Sequence, residues 1–113
     1  MNAEYGSFTD EKAALEEIAS AGYFPLTLDF SEENSDLHWH DFDSLVYVLD
    51  GEVKITDGQT DEVYVCGAGT RISAPGGLLH REETKGYKAI IGFAIDPAQL
   101  SQPINKKPPV VGQ

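Results

Sequence analysis

The sequence predicts one small all-β domain, a sandwich or barrel, preceded by a short helix. Runs rich in β-branched and aromatic residues recur along the chain, and turn signals separate them every six to ten residues. A chain of 113 residues has room for one domain and not for two. Hydrophobic residues make up 41% and charged residues 24% of the sequence, which is typical of a globular protein.

The helix is predicted over residues 9–21. Thr9 is a candidate N-cap, Asp10 and Glu11 suit the positive end of the helix dipole, and Gly22 stands where a C-terminal cap is expected. Apolar residues recur with a period of 3.6, which gives the helix one narrow stripe for docking on a sheet. The residues of this stripe are Ala14, Leu15, Ile18 and Ala19.

Eight short strands are predicted after the helix. Asp50-Gly51 and Asp57-Gly58 are two-residue hairpin signals, so a strand is predicted between two tight turns. Glycines 67 and 69 indicate a further turn. The predicted strands cover residues 24–30, 38–40, 44–50, 52–56, 59–65, 70–74, 78–83 and 87–95.

The chain divides into three predicted segments: a helical segment over residues 1–23, the β-domain over residues 24–95, and a tail over residues 96–113. Four of the six prolines lie between Pro97 and Pro109. Proline lacks the backbone N–H that a central strand needs, so the tail is expected to be extended, either wrapped on a surface or mobile.

Charge and cysteine content exclude several classes of function. The net charge is −11, from 19 acidic and 8 basic residues, and such a surface repels nucleic acids and anionic membranes. No segment approaches the roughly 20 apolar residues of a membrane span. Cys66 is the only cysteine, so no intrachain disulfide can form and no chemistry is assigned to it. The sequence also shows no signal-peptide pattern. Together with the single cysteine, this predicts a cytoplasmic protein.

The three histidines are the strongest chemical signal. His38 and His40 are two residues apart, and in a strand such side chains share a face about 6.5 to 7 Å apart. His80 follows a Pro-x-Gly turn, which predicts that a strand folded back alongside supplies a third ligand. Neutral imidazole is the commonest metal ligand. The alternative is that all three are polar residues of a barrel interior without a metal.

The spacing of these histidines resembles the two signature motifs of the cupin superfamily. The first motif is Gly-x5-His-x-His, three or four residues, Glu, six residues and Gly, and His38, His40 and Gly51 fall in register with it. The second is Gly-x5-Pro-x-Gly-x2-His followed after three residues by Asn, and it is matched by Gly69, Pro75, Gly77 and His80. The resemblance implies a cupin-type jelly-roll β-barrel that binds a divalent metal ion through the three histidines.

Three positions depart from the family pattern. Ser44 stands where the family has its metal-binding Glu, Thr84 stands where it has Asn, and the first Gly falls near Glu33. Three neutral nitrogens leave a divalent ion its full charge, which favours an anionic or chelating substrate. The chain is in this respect similar to three-histidine cupins, which include thiol and diketone dioxygenases that use non-haem iron. The resemblance implies an iron oxygenase, with Zn, Ni or Mn as alternative metals.

Two other functions stay open at this point. One is a metal-dependent isomerase or lyase that works without O2. The other is a non-catalytic module that senses a small ligand or a metal. In each case the partner is a small molecule, and neither nucleic acid nor a membrane is expected to bind.

Strand parity with the histidines predicts which side chains line the pocket. Glu82 shares the parity of His80 and is a candidate catalytic base or hydrogen-bond acceptor, the alternative being a solvated place at the barrel mouth. Arg71 is a candidate clamp for a substrate carboxylate, with a surface role as the alternative. The predicted apolar and hydroxyl lining consists of Ser44, Val46, Val48 and Leu78.

Asp43 and Asp36 are candidates to replace the missing Glu, although Asp43 needs a bulge to face the metal. Either could instead fix the tautomer of a histidine. Trp39 and Tyr64 are interpreted as packing residues.

One apolar face of the predicted barrel points away from the pocket. Its residues are Leu45, Tyr47 and Leu49, and they are expected to meet the helix, a second layer or a partner. This face and the extended chain ends favour a homodimer.

Overall fold

The computed structural model describes residues 1–109, which form seven β-strands, one α-helix and one short 3₁₀ helix. The predicted all-β architecture with a short N-terminal helix is confirmed. Residues 110–113 of the predicted tail lie outside the described range. The elements are β1 Asn2–Glu4, α1 Glu11–Ser20, β2 Phe24–Phe30, β3 Glu33–Asn34, β4 Ser44–Asp57, β5 Val63–Gly67, β6 Arg71–Ala74, β7 His80–Phe93 and the 3₁₀ helix Pro97–Gln99.

Two long antiparallel strands, β4 and β7, form the spine of the fold. They pair from Ser44 opposite Phe93 to Asp57 opposite His80. The first half of β4 also pairs with β6, which carries β1 on its far side, and the second half pairs with β5. The two halves of β7 pair with β3 and β2 in the same way. All seven strands therefore belong to one sheet with β4 and β7 at its centre, and the inner face of this sheet encloses the barrel interior.

The hairpin predicted at Asp50-Gly51 is wrong, because β4 runs straight through this dipeptide. The register between β4 and β7 shifts on either side of Gly51, so the glycine marks a bulge in a continuous strand. Gly51 has φ +77°, and an added Cβ would overlap the carbonyl oxygen of Gly86 and lie 2.8 Å from the Cα of Tyr87. The glycine is required both for its backbone angle and for the close approach of β7.

Two other predicted boundaries are corrected. The predicted strands over residues 78–83 and 87–95 are a single strand, β7, in which Gly86 has φ +133°. The hairpin after Asp57 exists, but residues 58–62 make its loop, where Asp57 Oδ1 accepts hydrogen bonds from the backbone N–H groups of Gln59 and Thr60. By contrast, β2 has the bounds that its alternating pattern predicts.

Helix α1 covers one outer face of the barrel. Asp10, not Thr9, is its N-cap, since Asp10 Oδ1 accepts a hydrogen bond of 2.8 Å from the N–H of Ala13. At the other end Gly22 has φ +75°, and the N–H of Tyr23 donates to the carbonyl of Ile18, which ends the helix in a Schellman motif. Within residues 1–109, no helix has the length and hydrophobicity needed to cross a membrane.

The outer apolar face of β4 is the surface on which α1 docks. Leu45 and Tyr47 are buried against Ala14 and Ile18 of the helix, and Leu49 packs at the edge of this cluster. The helix, rather than a partner, therefore covers the face from which a homodimer was predicted. The homodimer remains a prediction, but the apolar face of β4 no longer supports it.

Cys66 is fully buried in the inner apolar cluster, whose other buried members are Val48, Val53, Ile55, Ile72, Tyr87 and Ala89. Burial raises the pKa of its thiol to about 11, so the reactive thiolate is scarce at neutral pH. We expect Ellman's reagent at pH 8 to modify the native protein at least about 100-fold more slowly than the urea-unfolded protein. Equal rates before and after unfolding would contradict this burial.

Candidate metal centre

The three histidines converge on one point inside the barrel. Their nearest ring nitrogens all lie within 4.8 Å of one another, and the ring centroids are 4.4 to 5.1 Å apart. His38 and His80 face each other across a two-residue bridge, where each backbone N–H donates to the other's carbonyl at 2.9 and 3.0 Å. Residues 38–40 form only isolated bridges, this one and one at Trp39, and not the predicted strand. The bridge nevertheless brings His38 onto the end of β7.

Main-chain carbonyls fix the orientation of all three imidazole rings. The Nδ1 atoms of His38, His40 and His80 lie 2.8, 3.0 and 2.9 Å from the carbonyl oxygens of Asp36, Ile104 and Leu78, respectively. A carbonyl oxygen can only accept, so each Nδ1 carries the proton. The Nε2 atom of each ring is then the one that can bind a proton or a metal ion.

The acceptor for His40 comes from the C-terminal tail, 64 residues along the chain. The tail reaches this position through a bridge in which Trp39 and Lys106 exchange backbone hydrogen bonds of 3.0 and 2.9 Å. The indole Nε1 of Trp39 also donates to the carbonyl of Lys107. The part of the tail that the structure describes is therefore wrapped on the barrel, and Trp39 holds it there. Sequence reasoning missed Ile104, since a main-chain acceptor has no residue type to recognise.

A cavity of about 630 Å³ opens beside the histidines. Its walls are mainly apolar and come from the inner faces of the strands and from the tail, which contributes Leu100 and Ile104. Three of the predicted lining residues, Ser44, Val46 and Leu78, are in this wall. Val48 is not, because it lies deeper and is fully buried in the inner apolar cluster. Tyr87, which sequence reasoning did not single out, also lines the cavity and stacks on Phe30.

Glu82 is the carboxylate beside the histidines. Its Oε1 lies 3.4 Å from Nε2 of His80 and 3.9 Å from Nε2 of His38, and its side chain is 20% exposed. Strand β7 sets this arrangement, because His80 and Glu82 are two residues apart and share a face. Two hydrogen bonds with Ser35 hold the backbone of Glu82 in place: its N–H donates to Ser35 Oγ, and its carbonyl accepts from the N–H of Ser35.

The pKa values in the cluster move in different directions. Burial lowers the pKa of His40. Burial is the largest effect on the pKa of His80 and acts to lower it, but the hydrogen bonds with Glu82 and with the carbonyl of Leu78, together with nearby negative charge, outweigh it and the pKa rises. Burial is the largest effect on the pKa of Glu82 and acts to raise it, but the hydrogen bond with His80 and the charges of the three histidines together outweigh it and the pKa falls. The opposite shifts favour an imidazolium–carboxylate pair between His80 and Glu82.

Arg71 lies outside the cavity, contrary to the prediction that it clamps a substrate. Its neighbour Ile72 points inward, so the guanidinium is on the outer face of β6. There Nε donates to the hydroxyl of Tyr47 at 3.2 Å, and Nη1 contacts Glu4 at 3.3 Å. This position keeps Arg71 away from any ligand bound at the histidines.

Asp43 and Asp36, the two candidates to replace the family's metal-binding Glu, have structural roles instead. Asp43 is exposed, and its Oδ1 accepts a hydrogen bond of 2.7 Å from the N–H of Gly76. Asp36 is exposed as well and orients His38 through its main-chain carbonyl, not its side chain. Ser44, at the family's Glu position, lines the cavity.

The residues present fit a divalent metal ion. Three inward nitrogens with their protons fixed on the opposite side of each ring are the donor set that Zn, Fe, Ni or Cu prefers. Hydrogen bonds from the outer ring nitrogen to a carbonyl are also the usual support of a metal-binding histidine.

Comparisons with solved structures identify the architecture. A DUF861 family protein from Thermotoga maritima superposes with a TM-score of 0.61 at 20% identity, over 81% of this chain and 97% of the other. A cupin-2 domain protein from Shewanella frigidimarina gives 0.52 at 24% identity, over 61% and 67% of the chains. The DMSP lyase DddQ from Ruegeria pomeroyi gives 0.55 at 17% identity, over 65% of this chain and 38% of the enzyme.

No protein-family model and no curated protein sequence matches the chain. The structural likeness to cupins is nevertheless consistent, and it agrees with the motif residues that meet at the barrel interior. The chain therefore has the fold of the small single-domain cupins.

Proposed function

We propose that this chain is a metal-dependent cupin that binds a small organic substrate in its barrel, and that its reaction is an iron-dependent oxygenation. The observation that carries the proposal is the convergence of three Nε2 atoms at the wall of an apolar cavity. Non-haem iron bound there would supply O2 activation and a Lewis acid for a chelating substrate.

The protein's own contribution is binding, orientation and exclusion of water. A cavity of about 630 Å³ lies within the range of small-molecule sites, which runs from about 300 to 1,000 Å³. Apolar walls from Leu28, Phe42 and Phe93 favour a substrate with a hydrocarbon part and keep bulk water away from the histidines. The carboxylate or chelating end of such a substrate would face the histidine cluster.

The test is O2 consumption by protein reconstituted with Fe(II) under anaerobic conditions. We expect one Fe(II) per chain and O2 uptake with at least one member of a panel of small thiols, carboxylic acids and β-diketones. His80→Ala should reduce the uptake to background, since it removes one of three ligands. Arg81→Ala is the matched control, because this exposed neighbour points away from the cavity, and it should leave the rate unchanged. No uptake by fully loaded protein with any compound would contradict the oxygenase.

A second candidate is lyase or isomerase chemistry on the same ligands. Two observations favour it: the structural likeness to a DMSP lyase and the carboxylate of Glu82 beside the histidines, which is placed to accept a proton. Product formation that continues under strict exclusion of O2 would separate this function from the oxygenase. Calorimetric binding without any product would instead indicate a sensing module.

A further inference from the structure

We infer that Glu82 is a fourth metal ligand, so that the carboxylate missing from the first cupin motif is supplied by the strand that carries the second. The inference rests on the proposed metal site and specifies its ligand set. It gives Glu82 a different role from the proton acceptor that the sequence suggested and that the lyase or isomerase candidate uses.

Distances support a shared ion. Two ligand atoms that are each about 2.0 to 2.1 Å from a tetrahedral ion lie about 3.3 to 3.4 Å apart. The Oε1 atom of Glu82 is 3.4 Å from Nε2 of His80 and 3.9 Å from Nε2 of His38. Glutamate has three side-chain torsions, so a small rotation can bring Oε1 closer to His38 and toward His40. The carboxylate therefore already lies at ligand-to-ligand spacing from one imidazole and close to it from a second.

The surroundings of Glu82 call for a cation at this point. Its side chain is four-fifths buried beside an apolar cavity, and a buried carboxylate needs a charged or hydrogen-bonding partner. Among residues 1–109, the only basic groups within 4.0 Å of it are the imidazoles of His38 and His80. Both present Nε2, the atom that their carbonyl contacts leave available. A metal ion bound at this point would join the carboxylate to both nitrogens and balance its charge.

Backbone contacts fix the position of Glu82 in the strand. His80 and Glu82 alternate on one face of β7, and Ser35 fixes the Glu82 peptide through two hydrogen bonds of 2.9 Å. Ser44, at the family's Glu position, offers only a hydroxyl. A divalent ion bound by Glu82 would carry a net charge of about +1 in the site, so a monoanionic substrate would neutralise it.

The first experiment compares metal affinities. Isothermal titration with Zn(II) should show that Glu82→Gln, which keeps the shape of the side chain, weakens binding by more than about 100-fold, because losing an outer partner costs only about 10- to 100-fold. Glu83→Gln is the matched control, since Glu83 is the next residue of β7 and contacts Lys54 on the outer surface. It should stay within about threefold of the unsubstituted protein. A Glu82→Gln affinity within 100-fold would overturn the inference.

A second measurement uses the unsubstituted protein and does not depend on how the variant folds. Adding Zn(II) to protein labelled with ¹³C-glutamate should shift one carboxylate infrared band, as expected for direct coordination. No shift on stoichiometric binding would overturn the inference even if Glu82→Gln binds weakly.

The two proposals fail in different ways. If the unsubstituted protein binds Zn(II), His80→Ala abolishes binding and Glu82→Gln retains it, only the fourth ligand is wrong. If the unsubstituted protein binds no divalent metal, the metal site itself is wrong and both proposals fall.

Discussion

Replacing His38 with alanine is expected to remove tight binding of divalent metal. Structural zinc sites bind with about 10 to 16 kcal/mol, or about 3 to 5 kcal/mol for each of three or four ligands. The loss of one imidazole should therefore weaken Zn(II) binding by about 10²- to 4 × 10³-fold. The measurement is competition with a chromophoric chelator. In parallel, the rise in melting temperature that Zn(II) gives the unsubstituted protein should vanish, because a ligand stabilises only the state that binds it.

The fold should survive this substitution. His38 joins His80 through backbone hydrogen bonds, which alanine at position 38 retains. Leu37→Ala is the matched control, since Leu37 is the adjacent residue and is 39% exposed. It should bind Zn(II) with unchanged affinity. Equal affinities for His38→Ala and Leu37→Ala would rule out His38 as a ligand.

Replacing Tyr47 with alanine is expected to lower the free energy of unfolding by about 3 to 5 kcal/mol, the usual cost of removing a buried aromatic ring. Tyr47 is fully buried between β4 and α1, and its ring meets that of Phe8 edge-on at 5.2 Å. Small domains have a total stability of only about 5 to 15 kcal/mol, so the loss is a large share. Urea denaturation followed by circular dichroism measures it.

A conservative variant separates packing from hydrogen bonding at this position. Tyr47→Phe keeps the ring and loses only the hydroxyl that accepts from Arg71, which should cost about 1 kcal/mol. Because Tyr47 faces the helix and not the cavity, both variants should keep the Zn(II) affinity of the unsubstituted protein while folded. A cost for Tyr47→Ala no greater than that for Tyr47→Phe would show that α1 does not depend on this ring.

The sequence predicted the fold class and the bounds of β2, but it missed the two shortest strands, β1 and β3, and divided the two longest, β4 and β7. The alternating pattern of β2 predicts its bounds, because residues that favour turns and loops flank both ends of the strand. A glycine such as Gly51 or Gly86 gives the same local sequence signal whether it lies in a hairpin turn or in a bulge. The prediction therefore divides β4 and β7 into two strands each. The pairing of β4 with β7 distinguishes the two cases, and it involves residues far apart in the sequence.

The site shows the same limit. Motif spacing predicted the meeting of the three histidines, and parity with His80 predicted that Glu82 shares their side of the strand. The side on which Arg71 lies depends on the register of β6 against β4, which the sequence alone does not provide. The contribution of Ile104 depends on the path of the tail, which composition describes only as extended.

The three acceptors that orient the imidazoles are main-chain atoms of Asp36, Leu78 and Ile104. Substituting these side chains leaves the acceptors in place, so the positions are free to diverge among related proteins without loss of histidine orientation. A deletion of one residue between positions 94 and 104 would disturb the orientation of His40, because it would draw another carbonyl toward its ring. At the positions that supply these acceptors, histidine orientation therefore depends on loop length and not on the side chain.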